Sequence, residues 1–264
     1  MNAYSSDRST SAAVLAGGGR LLPRGFGDLA RQVAIWLGFF LVYQVARGIA
    51  DRDAARAFEN GLKVIDLERR AGALFELSLQ GLLESSELLM TLTSWTYWLS
   101  QFTVLGLTLL WVYLRRNDSF LRFRNTILLA NLIGLAGYVL LPTAPPRMFP
   151  DYGFIDTLAT MGGLSHGSAV VEIASNPYAA MPSLHAADSL LVGVTMAFIV
   201  RRPLYRTLWL LWPAWVWFCV MATGNHFWLD IAVGVIVGAL AGAFVYRRRL
   251  RAALRNGARR TSTA

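Results

Sequence analysis

Six stretches of this chain are apolar over roughly membrane-spanning lengths, at approximately 32–50, 88–114, 125–141, 183–200, 205–222 and 226–246. A hydrocarbon core of roughly 30 Å takes about 20 helical residues to cross. The pattern predicts an all-α polytopic membrane protein with six transmembrane helices. With 55% of its 264 residues hydrophobic and a mean hydropathy of +0.43, the chain is too apolar for an ordinary soluble domain. The first run follows Arg20, Arg24 and Arg31, is too long for a signal-peptide core and has no small-residue cleavage pattern behind it, so it is expected to be a retained span.

The formal net charge of +9 is distributed as an orientation signal. Arginines cluster before the first run (Arg8, Arg20, Arg24, Arg31), after the second (Arg115, Arg116, Arg122, Arg124), after the fourth (Arg201, Arg202, Arg206) and after the sixth (Arg247 to Arg260). Residues 51–87 carry eight acidic side chains (Asp51, Asp53, Glu59, Asp66, Glu68, Glu76, Glu84 and Glu87), and residues 142–182 carry Arg147 as their one basic residue. By the positive-inside rule both termini are cytoplasmic, with 51–87 and 142–182 outside. This distribution excludes nucleic acid as the expected partner and places the basic tail at anionic headgroups.

The layout is then a disordered cytoplasmic N-terminus over 1–30, a membrane domain over 31–246 and a basic cytoplasmic tail over 247–264. Charges interleaved with leucines over 54–86 predict one or two amphipathic helices on the outer surface, with packing or anchoring as their role. Prolines at both ends of 142–182 predict an ordered lid or site wall there. Cys219 is the only cysteine, so no intramolecular disulfide can form. The sequence leaves the oligomeric state open.

On this topology the polar residues converge. Arg147 lies beyond the outer end of the third run, Ser183 and His185 at the outer start of the fourth, and His226 and Asp230 at the outer start of the sixth. Ionisable groups at membrane depth are costly and usually face a site or cavity. His226 and Asp230 are four residues apart, hence neighbours on a helix face. A carboxylate that takes the proton of one imidazole nitrogen leaves the other as a nucleophile or base. His185 could then serve as an acid, while Arg147 offers a planar fork suited to phosphate oxygens. Each residue alone also has a plainer reading: Ser183 as a helix cap, Arg147 as an interfacial side chain, Asp188 as an interhelical bond and His166 as a loop residue. The combination is what suggests phosphoryl transfer.

The segments "MPSLHAAD" (181–188) and "GNHFWLD" (224–230) resemble the second and third motifs of the type 2 phosphatidic acid phosphatase superfamily, and "LPTAPPRM" (141–148) stands where the first would fall. The resemblance runs in order from about 140 to 235 and implies a phosphatidic-acid-phosphatase-type helical bundle. It also implies a metal-independent, cofactor-free mechanism through a phosphohistidine. By it, His226 is the nucleophile, Asp230 holds it, His185 protonates the leaving group, and Arg147 and Ser183 bind phosphoryl oxygens. The chain departs from the pattern at Leu140 and Val220, where cations are expected, and at Met148 and Cys219.

The combination of "PTAPPR", "MPSLHAAD" and "NHFWLD" is similar to the inositol-phosphorylceramide synthase branch, whose members transfer phospho-headgroups between lipids. The expected activity is a lipid phosphotransferase or phosphatase acting on a lipid phosphate or phospholipid at the outer leaflet of the plasma membrane. Two alternatives stay open. One is a metal-dependent hydrolase using His185, Asp188, His226 and Asp230 as ligands. The other is a lipid-binding or transport protein. The sequence distinguishes neither the lipid nor water from alcohol as acceptor.

Overall fold

The structure, a computed structural model, describes residues 22–50, 53–159 and 177–261. Its helices are α1 (Gly25–Ala50), α2 (Ala54–Arg70), α3 (Glu76–Glu84), α4 (Glu87–Leu99), α5 (Leu105–Arg115), α6 (Asn117–Leu140), α7 (Leu184–Ile199), α8 (Pro203–Ala222) and α9 (Trp228–Thr261). A π-helical segment, Ser100–Val104, joins α4 to α5, so the two read as one long rod over Glu87–Arg115. The chain is an all-α membrane protein. Four of the described helical stretches are long and apolar enough to cross a membrane: Gly25–Ala46, Glu87–Arg115, Asn117–Leu140 and Trp228–Arg248. Of the other two expected spans, α7 has 16 residues, and α8 has 20 with Pro213 inside it.

The first helix begins at Gly25, so residues 25–30, expected within the disordered segment, form its opening turns. Asp28 stabilises them by accepting from Arg31 at 2.8 Å and Gln32 at 3.2 Å. The last helix likewise runs past the expected end at 246 into the basic segment.

At the centre of the bundle α7 packs against α6, α8 and α9. Small residues let the backbones close in, as in other membrane helix pairs. A Cβ on Gly193 of α7 would stand 2.5 Å from the Trp209 carbonyl oxygen of α8. That carbonyl is available for close approach because Pro213, four residues on, has no N–H to offer it. On the other side of α7, Gly234 of α9 lies directly against the Ser183 carbonyl. One apolar cluster, including Leu109, Val112, Phe123, Ile127 and Val192, fills the bundle around α5, α6 and α7.

A second cluster, with Ala57, Ile65, Phe149, Phe154 and Phe227, lies under α2. This helix is amphipathic as expected: its buried positions 57, 60, 61, 64, 65 and 68 form one stripe. The side chain of Asp53 caps its start by accepting from the Arg56 N–H.

Candidate active site

His226 stands in the short connection between α8 and α9. The chain leaves α8 at Thr223 and turns at Gly224, whose φ of +71° suits glycine. A Cβ there would also meet Gln80 Nε2 at 2.7 Å and the Ile155 carbonyl oxygen at 2.8 Å. After the turn the Asn225 and His226 N–H groups both donate to the Val220 carbonyl, each at 3.1 Å. His226 Nδ1 lies 2.9 Å from the Ala180 carbonyl oxygen. A carbonyl can only accept, so Nδ1 carries the proton and Nε2 is left with its lone pair.

Asp230 lies beside the same ring, with Oδ2 3.5 Å from Nδ1. Its hydrogen bond, however, is to the Phe227 N–H at 2.8 Å. The spacing of four residues thus brings carboxylate and imidazole together, while the direct hydrogen bond to the ring comes from a backbone carbonyl that sequence could not assign.

His185 projects from the first turn of α7. Ser183 caps that turn, its hydroxyl accepting from the Ala186 N–H at 3.2 Å. The Ser183 N–H donates to the Asp230 carbonyl at 2.9 Å and ties α7 to α9. The His185 ring stacks on Tyr97, with centroids 4.6 Å apart, and lies 5.6 Å from the His226 ring. Both imidazoles, Tyr97 and Arg147 line a cavity of about 190 Å³; Ser183 and Asp230 are buried and are not among its lining residues.

Arg147 is held at three points. Its N–H donates to the Gly224 carbonyl at 2.9 Å, its Nη1 to Asn225 Oδ1 at 2.8 Å, and its Nε lies 4.0 Å from Asp156 Oδ2. Asn225 in turn donates through Nδ2 to Thr223 Oγ1 at 2.9 Å, which fixes its oxygen toward the guanidinium. Burial lowers the pKa of Arg147, and a guanidinium so far above neutrality to begin with stays charged. The ends of the 142–182 connection are fastened together, Thr143 N–H to the Tyr178 carbonyl at 2.9 Å and Ala180 N–H to the Thr143 carbonyl at 3.2 Å. This places Ala180 at His226 and Arg147 at Asn225 from one anchored frame.

Asp188 is buried beside the cavity, bonded to two residues of its wall. Its two oxygens accept from Gln101 Nε2 and Asn131 Nδ2, both at 2.8 Å, the interhelical bond of the plainer reading. The π-helical turn gives Gln101 its place opposite α7; such bulges often mark functional positions. Leu140 is 70% exposed and Val220 fully buried, so neither position brings a cation to the site. Arg147 is the one Lys or Arg on the cavity wall among the described residues. Among the described residues no three His, Cys, Asp or Glu side chains converge as a metal ion would need. His166 lies outside the described residues.

Three further residues belong to this arrangement and were not singled out in the sequence: Asn225, which orients Arg147, and Glu68 and Glu76, which grip the start of α9. Glu76 Oε1 accepts from the Trp228 N–H at 2.7 Å and Glu68 Oε1 from the Leu229 N–H at 3.2 Å. Asn225 was accessible in principle as a polar residue beside His226; the two glutamates look like surface charges on an amphipathic helix.

The chain belongs to the PAP2 superfamily, whose family model matches residues 62–244. It is also similar to the phosphoinositol dihydroceramide synthase of Bacteroides thetaiotaomicron, with 31% identity over 143 residues, covering 49% of this chain and 47% of that protein. The chain thus matches about half the length of this curated relative. No solved structure is significantly similar.

Proposed function

We propose that this protein is an integral membrane lipid phosphotransferase or phosphatase that works through a phosphohistidine on His226. The observation that carries the reading is the protonation pattern forced on that ring: Nδ1 is committed to the Ala180 carbonyl, so Nε2 is the nucleophilic nitrogen. In the first step Nε2 attacks phosphorus, the bond from phosphorus to the leaving oxygen breaks, and His185 gives that oxygen its proton. In the second step His185 takes the proton of water or an alcohol, whose oxygen attacks phosphorus and releases His226. Arg147, aimed by Asn225, balances charge on the phosphoryl oxygens. Ser183 contributes by capping the first turn of α7, from which His185 projects. Asp230, 3.5 Å from Nδ1, offsets the positive charge of the phosphorylated ring.

Membership of the superfamily and the similarity to a phosphoinositol dihydroceramide synthase support lipid headgroup chemistry. A second cavity of about 390 Å³, lined by α1 and α5 and sharing Phe39, Phe40, Gln101, Phe102 and Asn131 with the first, gives a hydrocarbon chain room beside the phosphate. With a single guanidinium on the cavity wall, a singly charged phosphodiester suits the site better than a dianionic monoester. The six-span layout, with cytoplasmic termini and the site at the outer leaflet of the plasma membrane, follows the arginine distribution.

The test is turnover of headgroup-labelled phospholipids and lipid phosphomonoesters by purified protein in detergent with chelator. Turnover that Ala at His226 abolishes is the expected result; chelator-sensitive turnover that survives His226→Ala points to the metal-dependent alternative.

A further inference from the structure

The start of α9 is gripped in an unusual way. The N–H of Phe227, just before it, and those of Trp228 and Leu229, its first two residues, are taken by Asp230, Glu76 and Glu68 respectively. Helix N-termini favour negative groups, but three carboxyls around one turn, each fully buried, cannot all be charged at tolerable cost. Glu68 and Glu76 lie within hydrogen-bonding reach of each other. Their second oxygens, Oε2 in both, meet no donor among the described residues. A proton on one of them would satisfy both, since a carboxyl donates where a carboxylate accepts.

We propose that Glu68 and Glu76 share one proton and act as a positioning pair, holding the first turn of α9, and with it His226, against α2 and α3. The ionisable neighbours that act on the pair are each other and Asp230. Burial first and the Glu76 charge second push the Glu68 carboxyl up to about 9. Burial also raises Glu76. The carboxyl of Glu68 donates from Oε2 to Glu76 Oε2, and each Oε1 keeps its backbone N–H. The effect on turnover rests on His226 being the nucleophile; the shared proton does not.

The direction of the pH effect follows. Because the folded-state value lies above the ordinary 4.5, the folded protein holds a proton that the unfolded chain releases. The stability this gives is complete below about 4.5 and is lost as the pH rises toward 9. A Gln at 68 would supply the same donor and acceptor without titrating.

The experiment compares the full chain in detergent as wild type, Glu68→Gln and Glu68→Ala. Thermal unfolding is followed from pH 5 to 9, with infrared detection of protonated carboxyl groups and with kcat and KM for the phospholipid substrate. Glu68→Gln is expected to melt with the wild type at pH 5 and above it at pH 9, by roughly 10 °C, and to lack one protonated-carboxyl band at pH 7. Glu68→Ala is expected to melt lower at every pH and to lose roughly 100-fold in kcat with little change in KM, while Glu68→Gln keeps its turnover. Parallel melting curves for wild type and Glu68→Gln, an unchanged infrared band, or a Glu68→Gln chain that does not fold would each overturn the shared proton. Should His226→Ala leave turnover intact, the nucleophile fails while the melting and infrared results still decide the pair.

Discussion

Replacing Gly234 by Ala tests how tightly the two histidine-bearing elements are joined. The new Cβ would fall well inside contact distance of the Ser183 carbonyl oxygen, 3.0 Å from its carbon and 3.3 Å from Ala186 Cβ. Restoring an optimal separation of about 3.5 Å between such atoms requires α7 and α9 to part by roughly 1 Å. The start of α7 has nowhere to retreat, because Gly134 and Gly137 of α6 already lie against Leu184 and Pro182. Overpacking of this kind costs about 1–3 kcal/mol, equivalent to a fall in Tm of roughly 2–12 °C for a domain of this size. The same displacement stretches the Ser183 N–H bond to Asp230 and carries His185 away from His226, so turnover should fall about 100-fold.

Gly242→Ala on the same helix is the matched control. Its Cβ would meet nothing nearer than Leu191 Cδ2 at 3.9 Å, and the change gains up to about 1 kcal/mol of helix propensity. Melting and phospholipid turnover of the two variants, side by side in detergent, check the reasoning. Equal Tm and equal activity would refute it.

Asn225→Ala frees the Arg147 guanidinium, and kcat/KM is expected to fall about 10- to 100-fold while Tm moves by only a few degrees; steady-state kinetics on a labelled phospholipid measure it. Asp188→Ala removes the acceptor of the Gln101 amide and one of the two acceptors of the Asn131 amide, and a loss of about 1–3 kcal/mol should appear as a drop in Tm. Gly193→Ala drives a methyl against the Trp209 carbonyl, separating α7 from α8, and should cost about 1–3 kcal/mol in thermal unfolding.

Much of the fold was legible because membrane crossing writes length and apolarity directly into sequence. The expected span over 88–114 lies within Glu87–Arg115, and that over 125–141 matches the helix Asn117–Leu140 to within one residue at its end. The 54–86 segment forms the two amphipathic helices its pattern suggests. The start of α1 was misplaced because the polar opening, with Asp28 and Arg31, carries no apolar signal; local side-chain bonds hold it instead.

The nearness of some candidate residues was legible in the sequence, and their wiring was less so. Spacing alone made neighbours of His226 and Asp230, and His185 does share a cavity with His226 and Arg147. No window of sequence could give the Ala180 carbonyl as the partner of Nδ1, since it depends on a connection anchored 46 residues away. Glu68 and Glu76 were hidden for a similar reason. Their burial rests on backbone donors more than 150 residues further along, and by composition they belong with the exposed charges around them.

The central claim concerns His226 as the covalent intermediate, and trapping that intermediate tests it most directly. Protein in detergent would be mixed with a phospholipid carrying labelled phosphorus, quenched with denaturant at neutral to alkaline pH, digested and mapped by mass spectrometry, with His226→Ala alongside. Label on the peptide containing His226, absent from the variant and discharged on addition of acceptor alcohol or water before the quench, is the expected result. Turnover with no label on that peptide, or label on another residue that persists in the variant, would contradict it.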